Sequence, residues 1–203
     1  MKNRTLVFTL CISLCLFSFG LSLTKFVEAQ TTILSINPQT YEVAENEIGN
    51  PFTVTIEANG VTNLWGWKTG LSWNPEVLNL TKIEEGPFLQ TAGDTLFVWP
   101  SASSYEISMG YVDEIFCSFL SLDTVQGDGV LATITFESLN AGDCEISLNA
   151  TSLMEPETGH PEIPHNVLNG NVSVIPEFQS WMVLPVFTGA TVTAVFLKKR
   201  YVQ

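Results

Sequence analysis

Residues 64–89 read LWGWKTGLSWNPEVLNLTKIEEGPFL, two runs of alternating polarity separated by Asn74-Pro75. Asn favours the start of a turn, and Pro fixes φ at the next position while removing a ladder donor, so the chain must reverse at residues 73–76. Side chains of a strand alternate between its faces. In the first run Trp65, Trp67, Thr69, Leu71 and Trp73 therefore share one face, and Gly66, Lys68, Gly70 and Ser72 share the other. In the second run Leu78 and Leu80 point one way and Asn79 and Thr81 the other, until Gly86-Pro87 ends it. The pattern predicts a hairpin loaded with aromatics on one side, which needs a second layer to bury it.

The same grammar continues on both sides. Strand signals recur every eight to twelve residues from Thr32 to Ile175, and no segment offers a helical period with caps. Strands are expected over residues 32–36, 39–44, 52–58, 95–99, 105–111, 115–122, 130–137, 144–150 and 167–175. Turns are expected at Asn59-Gly60, at Asp113-Glu114, over the Gly- and Asp-rich residues 123–129, and at residues 141–143. Nine or ten strands without a helix describe an all-β, two-sheet sandwich. Its predicted core is Phe52, Val54, Ile56, Trp67, Leu71, Leu78, Leu80, Ile134, Phe136, Ile146 and Leu148.

The two ends are unlike this body. Residues 1–4 are basic, residues 5–23 apolar, and Val27-Glu28-Ala29 offers small residues for a cut after Ala29, so residues 1–29 read as a secretory signal, with an uncleaved anchor as the alternative. Residues 181–197 carry no charge and are followed by Lys198-Lys199-Arg200. As a helix rising ~1.5 Å per residue they would be ~26 Å long, close to a ~30 Å hydrocarbon core. The basic tail then sets the tail inside and the body outside; a buried helix of a soluble protein is the alternative. The expected organisation is a signal over 1–29, a sandwich over 30–175, and a membrane helix with its basic tail within 176–203.

Between the ends the charge is lopsided: Lys68 and Lys82 stand against 19 acidic residues. Such a surface repels phosphates, which excludes nucleic acid as a partner and argues against docking on anionic lipid.

Residues able to carry chemistry are few. Cys117 and Cys144 suggest a disulfide in an exported domain, closing a loop of about 27 residues and contributing ~3 kcal/mol by chain entropy; two buried free thiols are the alternative. Asp123, Asp128 and Asp143 lie in expected turns and are candidate calcium ligands, although turn aspartates commonly bond their own backbone and the spacing is not that of an EF-hand. Glu84-Glu85 would point to opposite faces of a strand and cannot share a substrate. His160 and His165 sit in a loop rich in Pro and Glu without a defined third ligand. No catalytic residue and no bound cofactor are expected. Trp65, Trp67 and Trp73 read as core, whereas Trp99, beside Pro100, is the ring expected to be exposed. Asn79, Asn149 and Asn171 open N-x-S/T sequons, and the parity of Asn79 and Asn171 is outward.

Leu64-Trp-Gly-Trp, Leu71-Ser-Trp-Asn-Pro-Glu-Val-Leu, the stop at Gly86, Gly127-Asp-Gly-Val-Leu-Ala-Thr-Ile-Thr-Phe136, Gly142 and Gly170-Asn-Val-Ser-Val together resemble the cohesin family over residues 32–174. Asn74-Pro75 stands where many members have Asp-Pro. The resemblance implies a nine-stranded jelly-roll sandwich, shared with certain carbohydrate-binding modules, and a non-catalytic binding module for an extracellular protein such as a dockerin-like partner. A polysaccharide-binding module and a structural envelope subunit are the rival readings. Pro176-Glu177-Phe178 ahead of the apolar segment and basic tail resembles the PEF-CTERM sorting signal of archaeal surface proteins, which implies processing and attachment at the cell surface.

Overall fold

The computed structural model describes residues 31–99 and 107–175. The expected signal, sorting motif (Pro176, Glu177, Phe178) and membrane helix lie outside the described residues. In chain order the elements are β1 (Thr32–Asn37), β2 (Thr40–Ala44), a 3-10 turn (Glu45–Glu47), β3 (Pro51–Leu64), β4 (Gly66–Ser72), β5 (Leu78–Glu85), a one-turn helix α1 (Pro87–Gln90), β6 (Thr95–Val98), β7 (Tyr111–Phe119), β8 (Val125–Ser138), β9 (Gly142–Met154), β10 (His165–Leu168) and β11 (Gly170–Ile175). They form a five-stranded sheet in the order β10-β1-β3-β8-β5 and a six-stranded sheet in the order β2-β11-β9-β4-β7-β6. Both sheets are mixed, since β1 runs parallel to β10 and β2 parallel to β11. All eleven residues expected in the core are buried, in one cluster between the sheets.

The expected hairpin at residues 73–76 is instead an arch. β4 lies between β9 and β7, whereas β5 is the edge of the opposite sheet and pairs with β8. The turn itself forms as read: the Glu76 amide donates to Asn74 Oδ1 at 3.0 Å, and the Val77 and Leu78 amides donate to the Asn74 carbonyl. The Trp73 indole N–H then reaches across to the Leu78 carbonyl at 3.0 Å. Two strands with apolar faces have the same alternation whether they pair edge to edge or stack face to face, so periodicity alone does not separate the two.

Several expected turns are bulges inside longer strands. β3 runs through Asn59-Gly60 and β8 runs through residues 125–129, paired with each other across register shifts. Gly60 (φ 69°), Asn63 (φ 58°) and Gly127 (φ 100°) take the positive φ that such bulges require. Asp128 closes this bulge by accepting from the Gly60 amide at 2.7 Å. β7 likewise continues through Asp113-Glu114, which sit at a register shift against β4, and the expected strand over 105–111 gives way to a turn at residues 107–110. Ala150, expected inward, is exposed at φ 46° in a bulge of β9, and the slip delivers Leu153 to the core. A bulge in β5 similarly makes Ile83 buried. The last expected strand is two, because Asn169 passes the chain from one sheet to the other and uses its Oδ1 to accept from the Leu148 amide.

Candidate functional site

The outward face of the six-stranded sheet divides into two halves. On the β4-β7-β6 half, strand register sets Val98, Phe116, Lys68 and Ser152 in one cross-strand row and Leu96, Ser118, Gly66 and Met154 in the next. Leu96 is 47% and Val98 41% exposed, because Phe97 takes the inward place on this short edge strand, tilted against Trp67. In the second row Gly66 and Ser118 are buried, and a Cβ on Gly66 would lie 2.9 Å from the Ser118 Cβ. Just past the end of β7, Leu120 and Leu122 are 69% and 75% exposed. Beside them the Trp65 indole donates to the Ser121 carbonyl at 2.7 Å and stacks on the His160 ring, with centroids 4.2 Å apart.

Lys68 stands in this apolar setting. Lys68 and Lys82 are the only lysines or arginines among the described residues. Lys82 pairs with Glu84 at 2.7 Å on the other sheet, whereas Lys68 has no ion-pair partner among the described residues. Lys68 is half-buried.

The β2-β11-β9 half is polar and internally bonded. Asn149 donates to Ser72 Oγ at 2.9 Å, Asn169 to Glu145 at 2.7 Å, and Ser173 to Asp143 at 2.6 Å. The outward face of the five-stranded sheet carries threonines, with Thr53 opposite Thr135 and Thr55 opposite Thr133.

The residues singled out from sequence are dispersed. Cys117 and Cys144 are free, buried thiols, which corrects the expected disulfide. Cys117 is opposite Trp67, whereas Cys144 Sγ accepts from the Asn74 amide at 3.2 Å, seven residues further along. At ~3.3 Å per residue that is roughly 23 Å, and a disulfide needs Cα atoms within about 7 Å. Burial, then the charge of Glu85 and its hydrogen bond from the thiol, pushes Cys117 well above the ordinary thiol value near 9.0; burial also raises Cys144. Alkylation mapped by peptide should therefore miss Cys117 and Cys144 in the native state and modify both in denaturant. Since unfolded thiols ionise first, the stability these neutral thiols contribute is complete below pH ~9 and declines as pH rises beyond it.

The calcium candidates do not converge. Asp123 accepts from Ser121 Oγ, Asp128 serves the β3-β8 bulge, and Asp143 accepts from Ser173. Among the described residues no group of three or more His, Cys, Asp or Glu is placed to hold a metal ion. Glu85 turns toward Thr95 and Cys117, away from Glu84 and its partner Lys82. His160 and His165 are engaged separately, His165 with Thr151 Oγ1 at 2.9 Å. Trp67 and Trp73 are buried as expected, while Trp65 and Trp99 are both half-buried and packed against the core. The exposed apolar residues Leu96, Val98, Leu120 and Leu122 are not legible as a set in the sequence, where the signal is the alternation of residues 95–99.

No protein-family model matches the sequence, and no curated protein matches it. Solved structures do. A non-cellulosomal cohesin from the hyperthermophilic archaeon Archaeoglobus fulgidus superposes with a TM-score of 0.53 at 12% identity, over 75% of this chain and 96% of that one. The third cohesin of ScaC from Acetivibrio cellulolyticus, solved in complex with the ScaB dockerin, gives 0.55 at 18% identity over 71% and 99%. The cohesin of the Coh-OlpC-Doc435 complex from Clostridium thermocellum gives 0.54 at 13% over 72% and 95%. The strand order, the two mixed sheets and these superpositions together show that the sandwich has the cohesin fold.

Proposed function

We propose that the chain is a non-catalytic, cell-surface module that binds an extracellular protein through the β4-β7-β6 half of its six-stranded sheet. The observation that carries this reading is the exposure of Leu96 and Val98 on the edge strand β6 and of Leu120 and Leu122 just past the end of β7, with Lys68, in the cross-strand row of Val98, lacking an ion-pair partner among the described residues. Neighbouring exposed apolar residues mark interaction sites, and a cation without an ion pair among the described residues of a strongly acidic domain favours a partner that brings a carboxylate. Two of the similar structures are complexes with dockerins, which supports a partner of that kind. A sugar platform would need an open aromatic ring, and the indoles of Trp65, Trp67, Trp73 and Trp99 are half-buried or buried.

Chain polarity suits surface display. β11 ends at Ile175, beside the start of β9, whereas Trp65, Leu120 and Met154 lie at the other end of β9. The 13 residues of β9 span about 40 Å. A body tethered through residues 176–203 would hold the apolar end away from the membrane.

The test is capture from the native host's extracellular fraction, beside a glycan array. The parent should capture a defined protein, and Lys68→Glu or Leu120→Asp/Leu122→Asp should weaken that capture at least tenfold with unchanged melting temperature. Undiminished capture by both variants, or a glycan signal in place of protein capture, would overturn the reading.

A further inference from the structure

Three sequons fall on strands, and the structure separates them. Asn171 is exposed on β11, and its side chain makes no hydrogen bond among the described residues. Val172 points inward, so Asn171 and Ser173 stand side by side on the outward face, ~6.6 Å apart along an extended strand. β2, its neighbour, is the edge of the sheet. Asn149 is exposed as well, and both sequon hydroxyls are engaged, Ser173 with Asp143, but Asn149 differs in its own side chain and in the backbone that follows it. Its amide already donates to Ser72 Oγ at 2.9 Å, Ala150 between it and Thr151 is held at φ 46°, and the Thr151 hydroxyl is engaged by His165. It also stands in mid-sheet, between β11 and β4.

We propose that Asn171 carries an N-linked glycan and that Asn149 stays bare, which leaves the outward face of the six-stranded sheet sugar-covered over β2-β11 and open over β4-β7-β6. The donor class is a lipid-phosphate-linked oligosaccharide. The Asn171 amide nitrogen bonds to the anomeric carbon, the bond from that carbon to the phosphate oxygen breaks, the lipid phosphate leaves with the electron pair, and one amide proton is lost to a base. Asn171 lies two strands from β4, ~10 Å, so a glycan rooted there flanks the open half without covering it. Asn79, half-buried on the other sheet, does not alter this division.

The inference rests on the export assumed in the proposed function, and the experiment separates the two. Peptide mass spectrometry of the full protein from its native host reads the N-terminus and the sequon peptides together. Expected are an N-terminus at Gln30, a glycan mass on the Asn171 peptide that disappears in Asn171→Gln and in Ser173→Ala, and an unmodified Asn149. A bare Asn171 on a chain beginning at Gln30 overturns the glycan assignment alone, as does a glycan on Asn149. A bare Asn171 on a chain that retains residues 1–29 and is shielded from protease added to intact cells overturns both the assignment and the export on which it rests.

Discussion

Phe136→Ala should destabilise the sandwich by about 3–5 kcal/mol, the usual cost of removing a buried phenylalanine. Phe136 is fully buried on β8, opposite Phe52 on β3 and Leu80 on β5. Its ring lies 6.1 Å from that of Phe52 and meets the Trp73 indole edge-on at 5.6 Å. It therefore joins three strands of one sheet to the arch that leads out of the other. Truncation leaves a cavity whose walls are backbone-paired strands, which cannot close over it. Differential scanning calorimetry should show a fall in Tm of roughly 10 °C, taking ~2–4 °C per kcal/mol for a body of this size. A fall below 2 °C would mean that the ring does not bridge the layers as described.

Gly86→Ala should cost about 3 kcal/mol for a different reason. Gly86 has an ordinary φ of −80°, so its backbone conformation is open to alanine. Space is what it lacks: an added Cβ would lie 2.3 Å from the Val130 carbonyl oxygen and 2.8 Å from the Leu131 carbonyl carbon, both backbone atoms of β8. The Gly86 amide is drawn in by its hydrogen bond to the Leu131 carbonyl at 2.8 Å. Next to it, a Cβ on Gly129 would meet the Phe88 ring at 2.2 Å, so both glycines serve the seating of α1 on β8. No side-chain rotation relieves a clash with backbone, and overpacking of this kind typically costs 1–3 kcal/mol and sometimes more. Gly127→Ala is the informative comparison, because it has φ 100° but nothing within 4 Å of the new Cβ. It tests conformational strain without collision. If Gly86→Ala unfolds at the parent's denaturant midpoint, β8 yields more readily than its pairing on both edges implies.

The glycines and turn residues show where sequence reading reaches its limit. Gly86 was legible as a stop, but only the close approach of β8 explains why no other residue fits there. Asn59-Gly60 and Gly127-Asp128-Gly129 carry turn chemistry, yet each supplies positive φ to a bulge, because the two segments face one another and neither is a chain reversal. Turn and bulge draw on the same residues. What separates them is whether a partner strand is present on both sides, and that is a long-range fact.

The cysteines make the same point. Export and an even count argued for a bridge, while the register of β4 against β7 and β9 sets the two thiols far apart.

The sequence by itself determined the all-β class, the two-layer sandwich and the membership of its core, because burial in a strand follows a period of two that each local run displays. It also carried the strongly acidic body and the unlike character of the two ends. Only the tertiary structure decided that β4 and β5 arch between sheets, that Cys117 and Cys144 stay apart, and that Leu96, Val98, Leu120 and Leu122 are exposed along and just beyond the β6-β7 edge. These depend on which strands become neighbours, and neighbours are chosen by the packing of the whole core, which no single run of alternating residues records.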